Sequence, residues 1–351
     1  MSPTFLLHHC PIYLGPLAES IPSWLKNQDY SQVFVLCDEN TRQNCLPYFL
    51  EKTGLPYKVQ WTEIKSGEGE KTLATCEKIW QSMLDAKLDR RVLVVNLGGG
   101  VIGDMGGFCA ATWKRGVDFV QVPTTLLSMT DAAIGGKTGI DFHGIKNIIG
   151  VFQQPAAVFV DPVFLQTLPQ RELRSGFAEV IKHALIGDPN LSDRLLSMET
   201  IRSANWTDIL QKSIAVKVRV VQEDPLEKGL RMLLNFGHTI GHALESWFLE
   251  TDEPLTHGVA IYIGMICEAG FLMGKRDLRA EVVALGQNVF PHLKIDPNIF
   301  PAIWERMQQD KKNSSGTVRM AVPDEMPFSL KIIEPDQLAV ERSLTFYNTL
   351  S

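Results

Sequence analysis

The run VLVVNLGGGVIGDMGGFCAA (92–111) decides how the first half of this chain is read. Its opening VLVVNLG is continuously apolar and β-branched apart from Asn96, the pattern of a strand covered on both faces. The glycines that follow, Gly98-x-Gly100-x-x-Gly103, allow a sharp turn into a helix whose first N–H groups can hold a phosphate. Asn96, Asp104 and the glycines also exclude a membrane span. A glycine loop of this kind is weak as a nucleotide signal taken alone. In the usual dinucleotide fold it follows the first strand, and here it follows a later one. Asp118 has the right spacing for a ribose carboxylate but precedes a strand. Asp38, which ends the strand VFVLCD, is the better candidate.

Working outward, VFVLCDEN (33–40), DFVQVPTT (118–125) and AVFVDP (157–162) read as further strands, and TLATCEKIWQSMLDAKLD (72–89) as an amphipathic helix. Strands alternating with helices predict a parallel sheet. After Pro169 the texture becomes helical, through PQRELRSGFAEVIKHALIGD, WTDILQKSIAVKVRVVQED, GLRMLLNFGHTIGHALESWF, HGVAIYIGMICEAGFLMG and the tail DQLAVERSLTFYNTL. The expected organisation is an α/β domain over 1–168 followed by an all-α domain over 169–351.

The chain has 351 residues and a net charge of −6, so no global basic field recruits nucleic acid, and an anionic ligand needs a local cluster of Lys and Arg. Its six cysteines form no C-x-x-C pair, which argues against a disulfide framework or a thiolate zinc site and for a reducing, cytoplasmic setting. The start MSPTFLLHHC has no basic segment followed by a long apolar one, and no signal peptide is expected.

Five constellations carry possible chemistry. The glycine loop is the first. GGKTG (135–139) imitates a P-loop, but Asp131 occupies the position of the required earlier glycine, so only Lys137 survives as a phosphate-binding point charge. Glu179 and Lys182 share a helix face among apolar neighbours, where a carboxylate needs a partner. Arg231, Asn235, His238 and His242 are spaced 4, 3 and 4 and so form one polar stripe along an otherwise apolar helix. Gly237 and Gly241 would let another backbone approach that helix. His257 opens the last apolar helix, and with Glu179 and His238 it would make a carboxylate–imidazole–imidazole set able to hold a zinc-type ion with positions left open. Spacing alone leaves open which of His238 and His242 holds metal.

The stretches GGGVIGDMGGFCAATWKRGVDFVQVPTTLLSMTDAAIGGKTGID, KNIIG, LPQRELRSGFAEVIKHALI, GLRMLLNFGHTIGHALE, LTHGVAIYIGM and DKK, in order over roughly 33–322, resemble the 3-dehydroquinate synthases. These are sugar phosphate cyclases, related in fold to metal-dependent alcohol and glycerol-1-phosphate dehydrogenases. The resemblance implies a Rossmann-like domain, a helical domain and an active site in the cleft between them. It also implies NAD and one divalent ion, zinc or cobalt, the ion held by Glu179, His238 and His257. His242 then belongs to the substrate pocket, with Asp131, Lys137, Lys146, Asn147, Lys182, Lys217, Glu227, Arg231, Asn235 and a DKK lysine, Lys311 or Lys312. Arg115 matches an arginine that reaches the neighbouring subunit's site, implying a homodimer. For NAD the matching positions are Asp38, Glu68, Lys71, Gly99, Gly100, Asp104, Thr124, Thr125, Leu127, Lys146 and Thr167.

Two stretches depart from the family. FHGIKN replaces the commoner Pro-Leu-Gly-Lys-Asn run but keeps the Lys137–Lys146 spacing, and GVA follows His257 where Gly-Glu-Ala is usual. The reaction implied is conversion of 3-deoxy-D-arabino-heptulosonate 7-phosphate to 3-dehydroquinate and phosphate, with transient oxidation by NAD and a final intramolecular aldol closure. The alternative is a sister cyclase acting on a sugar phosphate without a carboxylate.

Overall fold

The computed structural model describes residues 1–143, 145–272, 274–309 and 317–350. The chain forms two compact units, Met1–Pro169 and Gln170–Ser351.

The first unit is built on a seven-stranded sheet. Its strands are β1 (Phe5–Leu7), β2 (Cys10–Leu14), β3 (Gln32–Asp38), β4 (Val59–Ile64), β5 (Val92–Gly98), β6 (Phe119–Pro123) and the last strand of the sheet, Ala157–Val160. That last strand is β9, because a hairpin of β7 (Lys137–Phe142) and β8 (Ile145–Phe152) precedes it. The sheet order is β1-β2-β9-β6-β5-β3-β4. Every pairing is parallel except β1 with β2. The helices of this unit are α1 (Leu17–Leu25), α2 (Glu39–Asn44), α3 (Leu46–Thr53), α4 (Leu73–Asp85) and α5 (Gly100–Thr112).

The strand β5 is buried at every position, which is why its sequence is a continuous apolar run rather than an alternating one. Phe34, Leu36, Cys76, Ile79, Met105 and Phe119 fill the space between the sheet and its helices. A Cβ at Gly106 of α5 would stand 2.0 Å from Asn96 Oδ1, so this glycine lets α5 lie directly on β5. From β3 the chain moves outward to β4 and then back to β5 on the other side. The sheet therefore has its topological switch point between β3 and β5, the place where open α/β sheets bind ligands at the carboxyl ends of their strands.

The second unit contains α6 (Gln170–Gly187), α7 (Pro189–Leu196), α8 (Trp206–Glu223), α9 (His238–Phe248), α10 (His257–Ala269), α11 (Leu278–Gly286), α12 (Phe300–Gln308) and α13 (Gln337–Tyr347). A small hairpin of β10 (Met320–Pro323) and β11 (Leu330–Ile333) adds two strands that the helical periodicity does not signal. Among the described residues, no helix is long and apolar enough to cross a membrane.

One expectation is corrected here. The segment 230–248 is not one helix. Leu230–Asn235 is a 3-10 turn, Phe236 and Gly237 break it, and α9 starts at His238. Gly237 adopts a left-handed φ of 82°, open to glycine at little cost. The buried Glu268 carboxylate of α10 accepts from Gly237 N at 2.7 Å and Ile240 N at 2.9 Å, capping the new helix across a helix–helix contact. The expected close approach at the glycines is present. A Cβ at Gly241 would lie 3.0 Å from Ala260 O, and one at Gly264 would lie 2.0 Å from Gly237 O.

Candidate active site

In the second unit, α6 carries Glu179 and Lys182 into an apolar interior, and both side chains are 1% exposed. They form a tight ion pair, as their i,i+3 spacing requires. Lys182 Nζ also donates to Leu234 O at 2.6 Å, which ties α6 to the 3-10 turn bearing Arg231 and Asn235. The lysine thus has two acceptors, whereas among the described residues both Glu179 oxygens are buried without a hydrogen-bond partner beyond that ammonium.

Two imidazoles approach the same carboxylate. His238 Nε2 lies 3.7 Å and His257 Nε2 3.9 Å from Glu179 Oε1. On the far side of each ring, Nδ1 meets an oxygen: Glu245 Oε2 at 3.2 Å for His257 and Phe236 O at 3.3 Å for His238. Both oxygens only accept, so each contact calls for a proton on Nδ1, and a neutral ring in that tautomer offers its Nε2 lone pair toward Glu179. Three acceptors converging on one point repel each other unless a cation stands among them. Ligand atoms of Glu179, His238 and His257 all lie within 4.8 Å of one another. The donor set, two neutral imidazoles oriented from behind and one carboxylate, therefore fits a zinc-type ion.

Ligand atoms of His242, Glu245 and His257 also lie within 4.8 Å of one another. Glu245, however, already holds the His257 Nδ1 proton, which makes it the orienting partner of a ligand. His242 sits one turn along α9 from His238, with ring centroids 4.9 Å apart, and its ring is 5.8 Å from that of His257. It borders the group.

The remaining residues of this unit gather around the 3-10 turn. Arg231 is 3% exposed and its Nη1 donates to Pro225 O at 2.7 Å. Asn235 Nδ2 donates to Glu227 Oε1 at 2.6 Å. Glu227 has a left-handed φ of 58° inside a loop that the Asp224 carboxylate organises by accepting from the N–H groups of Lys228, Gly229 and Arg231. Lys217 is buried on α8. So Arg231 and Asn235 do not share a helix with His238 and His242. Lys311 and Lys312 lie outside the described residues.

In the first unit, Asp38 ends β3 and Gly98 ends β5, flanking the switch point, while Gly99 caps α5 and Gly100 opens it. Thr124 and Thr125 follow β6, the next strand. Thr124 N donates to Gly98 O at 3.0 Å, and a Cβ on Gly99 would meet Thr125 Cγ2 at 3.1 Å. Leu127 continues that segment, and Asp131 follows on its last turn. Asp38 is engaged in capping α2, accepting from Thr41 N at 2.8 Å, and burial raises its carboxyl above the ordinary range.

Lys71, buried, pairs with Asp104 at 2.6 Å and with Glu68 at 3.8 Å, and its carbonyl accepts from Asp141 N at 2.8 Å. Lys137 and Lys146 lie exposed on the β7–β8 hairpin, and Asn147, with φ of 51°, donates its N–H to Asp141 Oδ1 at 2.7 Å. Arg115 is exposed with φ of 71°, and Thr167 is exposed with its hydroxyl on Phe164 O at 3.3 Å.

Burial raises the Asp104 carboxyl to about 6, against the opposing pull of the Lys71 ammonium. Between the ordinary carboxylate range and that value, the folded protein holds more protons at this group than the unfolded chain does. Stability from this group therefore falls as pH rises through that window, and levels off above it. Asp104→Asn is expected to remove this component from urea-unfolding free energies measured at intervals from about pH 4 to 7. Identical slopes in the two proteins would show that the carboxyl titrates normally.

Glu245, Glu268 and Asp224 escaped the pattern reading. Each works through a partner remote in sequence or through backbone N–H groups, and only the Glu245 position, inside GHALE, offered a hint. Glu245→Ala is expected to weaken divalent-ion binding by about 10- to 100-fold while the fold persists, read by chelator competition. Unchanged metal affinity would mean that the carboxylate does not orient His257.

Residues 61–175 match the family model described as 3-dehydroquinate synthase N-terminal, and residues 176–313 match 3-dehydroquinate synthase C-terminal. The 3-dehydroquinate synthase of Parabacteroides distasonis is 38% identical over 315 residues, covering 87% of this chain and 88% of that protein. That of Rippkaea orientalis is 42% identical over 308 residues, covering 83% and 81%.

Among solved structures, the fold is similar to a 2-deoxy-scyllo-inosose synthase complexed with carbaglucose-6-phosphate, NAD+ and Co2+. The TM-score is 0.82 at 24% identity, covering 97% of both chains. It is also similar to the 2-epi-5-epi-valiolone synthase of Streptomyces hygroscopicus with NAD+ and Zn2+ bound, with a TM-score of 0.81 at 25% identity and 96% of both chains covered. The architecture, an α/β sheet unit and a helical unit, is thus one that this chain shares with those synthases. Within that class, the chain belongs to the 3-dehydroquinate synthase family.

Proposed function

We propose that this protein is a 3-dehydroquinate synthase of the shikimate pathway, converting 3-deoxy-D-arabino-heptulosonate 7-phosphate to 3-dehydroquinate and phosphate. The observation that carries the reading is the convergence of Glu179, His238 and His257 in a chain of this family. Glu179, His238 and His257 would hold one divalent ion, zinc or cobalt. Asp38, Glu68, Lys71, Gly99, Gly100, Asp104, Thr124, Thr125, Leu127, Lys146 and Thr167 would hold NAD, with the first N–H groups of α5 toward its phosphates. When bound, NAD supplies a hydride acceptor that is regenerated each turnover, and the ion supplies a Lewis acid for the alcohol oxygen being oxidised.

The chain's own residues supply charge and position. The substrate brings a carboxylate and a phosphate to a protein of net charge −6, so cations must be local. Arg231, buried and braced on Pro225 O, is the carboxylate clamp. Lys182, Lys217, Lys137, Lys146 and a DKK lysine complete the cationic set. Asn147, Asn235 and His242 act as oriented hydrogen-bond partners, Asn235 being braced by Glu227. Asp131 is assigned to the same substrate site. Positioning of this kind can be worth about 7–11 kcal/mol in a reaction that closes a ring. Arg115 is assigned to the neighbouring subunit's site in a homodimer. Six buried free thiols suit a reducing cytoplasm.

The test is phosphate release from the seven-carbon keto acid phosphate with catalytic NAD, following absorbance at about 340 nm. Release in large excess over NAD without NADH accumulation supports the reading. Net NADH build-up, or turnover only of a sugar phosphate lacking the carboxylate, overturns it.

A further inference from the structure

On α10, which opens with His257, Glu268 is fully buried. Its carboxylate accepts from Gly237 N at 2.7 Å and from Ile240 N at 2.9 Å. Gly237 N and Phe236 O belong to one peptide group. That group is planar and trans, so its N–H and its C=O point in opposite directions. Glu268 holds the N–H end, and the C=O end meets His238 Nδ1 at 3.3 Å.

The backbone here has two settings to choose between. Phe236 has φ −57° and ψ 126°, and Gly237 has φ 82° and ψ −9°, the central values of a type II turn over residues 235–238. Rotating the 236–237 peptide alone converts such a turn to type I, which glycine adopts as readily. In the type I form the Phe236 carbonyl points the other way, and the His238 ring loses that acceptor. Gly237 thus permits the observed form without imposing it. A buried carboxylate on the N–H side imposes it, because the flipped peptide would set a carbonyl oxygen against that anion.

We propose that Glu268 is a positioning residue for the metal site. It locks the 236–237 peptide in the setting that aims the Phe236 carbonyl at His238 Nδ1, and so fixes the ring whose Nε2 faces Glu179. This role rests on Glu179, His238 and His257 being the metal ligands proposed above. The bracing is reciprocal. The helix α9 carries His238 and Glu245, and α10 carries His257 and Glu268. Glu245 meets His257 Nδ1 directly at 3.2 Å, whereas Glu268 reaches His238 Nδ1 through one peptide. Gly264 of α10, where a Cβ would stand 2.0 Å from Gly237 O, lets the two helices lie close enough for both contacts.

The test is Co2+ binding to the NAD-loaded full chain stripped of metal, measured by chelator competition, with the ligand-field absorption of the Co2+ protein and its urea midpoint read alongside. Glu268→Gln keeps the size of the side chain but sets an NH2 group against one of the two N–H donors. It is expected to weaken Co2+ binding about tenfold, the lower end of what loss of an orienting partner costs, and to change the Co2+ absorption. Glu268→Asp keeps both accepting oxygens and is expected to recover part of the affinity. Leu191→Ala, a truncation of a buried side chain on α7, which bears none of the ligands, controls for lost stability. It is expected to lower the urea midpoint and leave Co2+ affinity and absorption unchanged. Wild-type protein that takes up no Co2+ would overturn the ligand assignment itself. Wild-type uptake with unchanged affinity and absorption in Glu268→Gln would overturn the positioning role alone, as would a loss of affinity in Leu191→Ala as large as that in Glu268→Gln. If the glutamine protein does not fold, Glu268→Asp is read by the same measurements, and wild-type affinity and absorption there overturn the role.

Discussion

Glu179→Gln is expected to yield a protein that no longer retains its divalent ion and turns over roughly 10³-fold more slowly. A metal acting as a Lewis acid contributes several kcal/mol to such a step, and each 1.36 kcal/mol is a factor of ten. The substitution has a second consequence, because Glu179 and Lys182 are a buried pair with side chains 1% exposed. Removing one partner of a buried pair costs about 3–5 kcal/mol, since the other charge is left without compensation.

Glutamine still offers an oxygen to Lys182 Nζ, so the lower end of that range is expected for the metal-free protein. Adding Lys182→Met should recover part of the lost stability, because it removes the buried ammonium that Glu179→Gln leaves without its counter-charge. Metal content by atomic absorption and urea unfolding of the chelated proteins separate the two effects. A Glu179→Gln protein that binds its ion stoichiometrically would remove Glu179 from the ligand set.

Arg231→Ala is expected to lower kcat/KM by roughly 10²–10³-fold with metal content unchanged. Loss of one partner from a buried charge-assisted contact costs about 2–5 kcal/mol, and the substrate carboxylate would lose its clamp. Arg231 stands on the 3-10 turn outside α9, so His238 should keep its position. An active Arg231→Ala enzyme would sink the clamp assignment. A sister cyclase acting on a substrate without a carboxylate would be indifferent to the change, so the same variant also discriminates between the two readings.

Local chemistry made much of this protein legible in the sequence. The β-branched run 92–98 reads as a strand covered on both faces and the glycines after it as a turn able to open a helix, and both are found. Glu179 and Lys182 sit three apart on a helix and had to meet. Gly237 and Gly241 announced a close backbone neighbour, which is α10. These conclusions depend on neighbours within a few residues, where spacing and side-chain size dictate geometry.

The tertiary structure decided the rest. Residues 230–248 have the apolar periodicity of one helix, yet the chain breaks at Gly237 because Glu268, remote in sequence, caps a new helix there. That break parts Arg231 and Asn235 from the two histidines. Spacing likewise could not say which imidazole faces a metal, since His238 and His242 project from the same face. The proposed choice of His238 rests on its Nε2 lying 3.7 Å from Glu179 Oε1. Contacts between segments more than ten residues apart leave no periodic trace, so they become readable only once packing has brought those segments together.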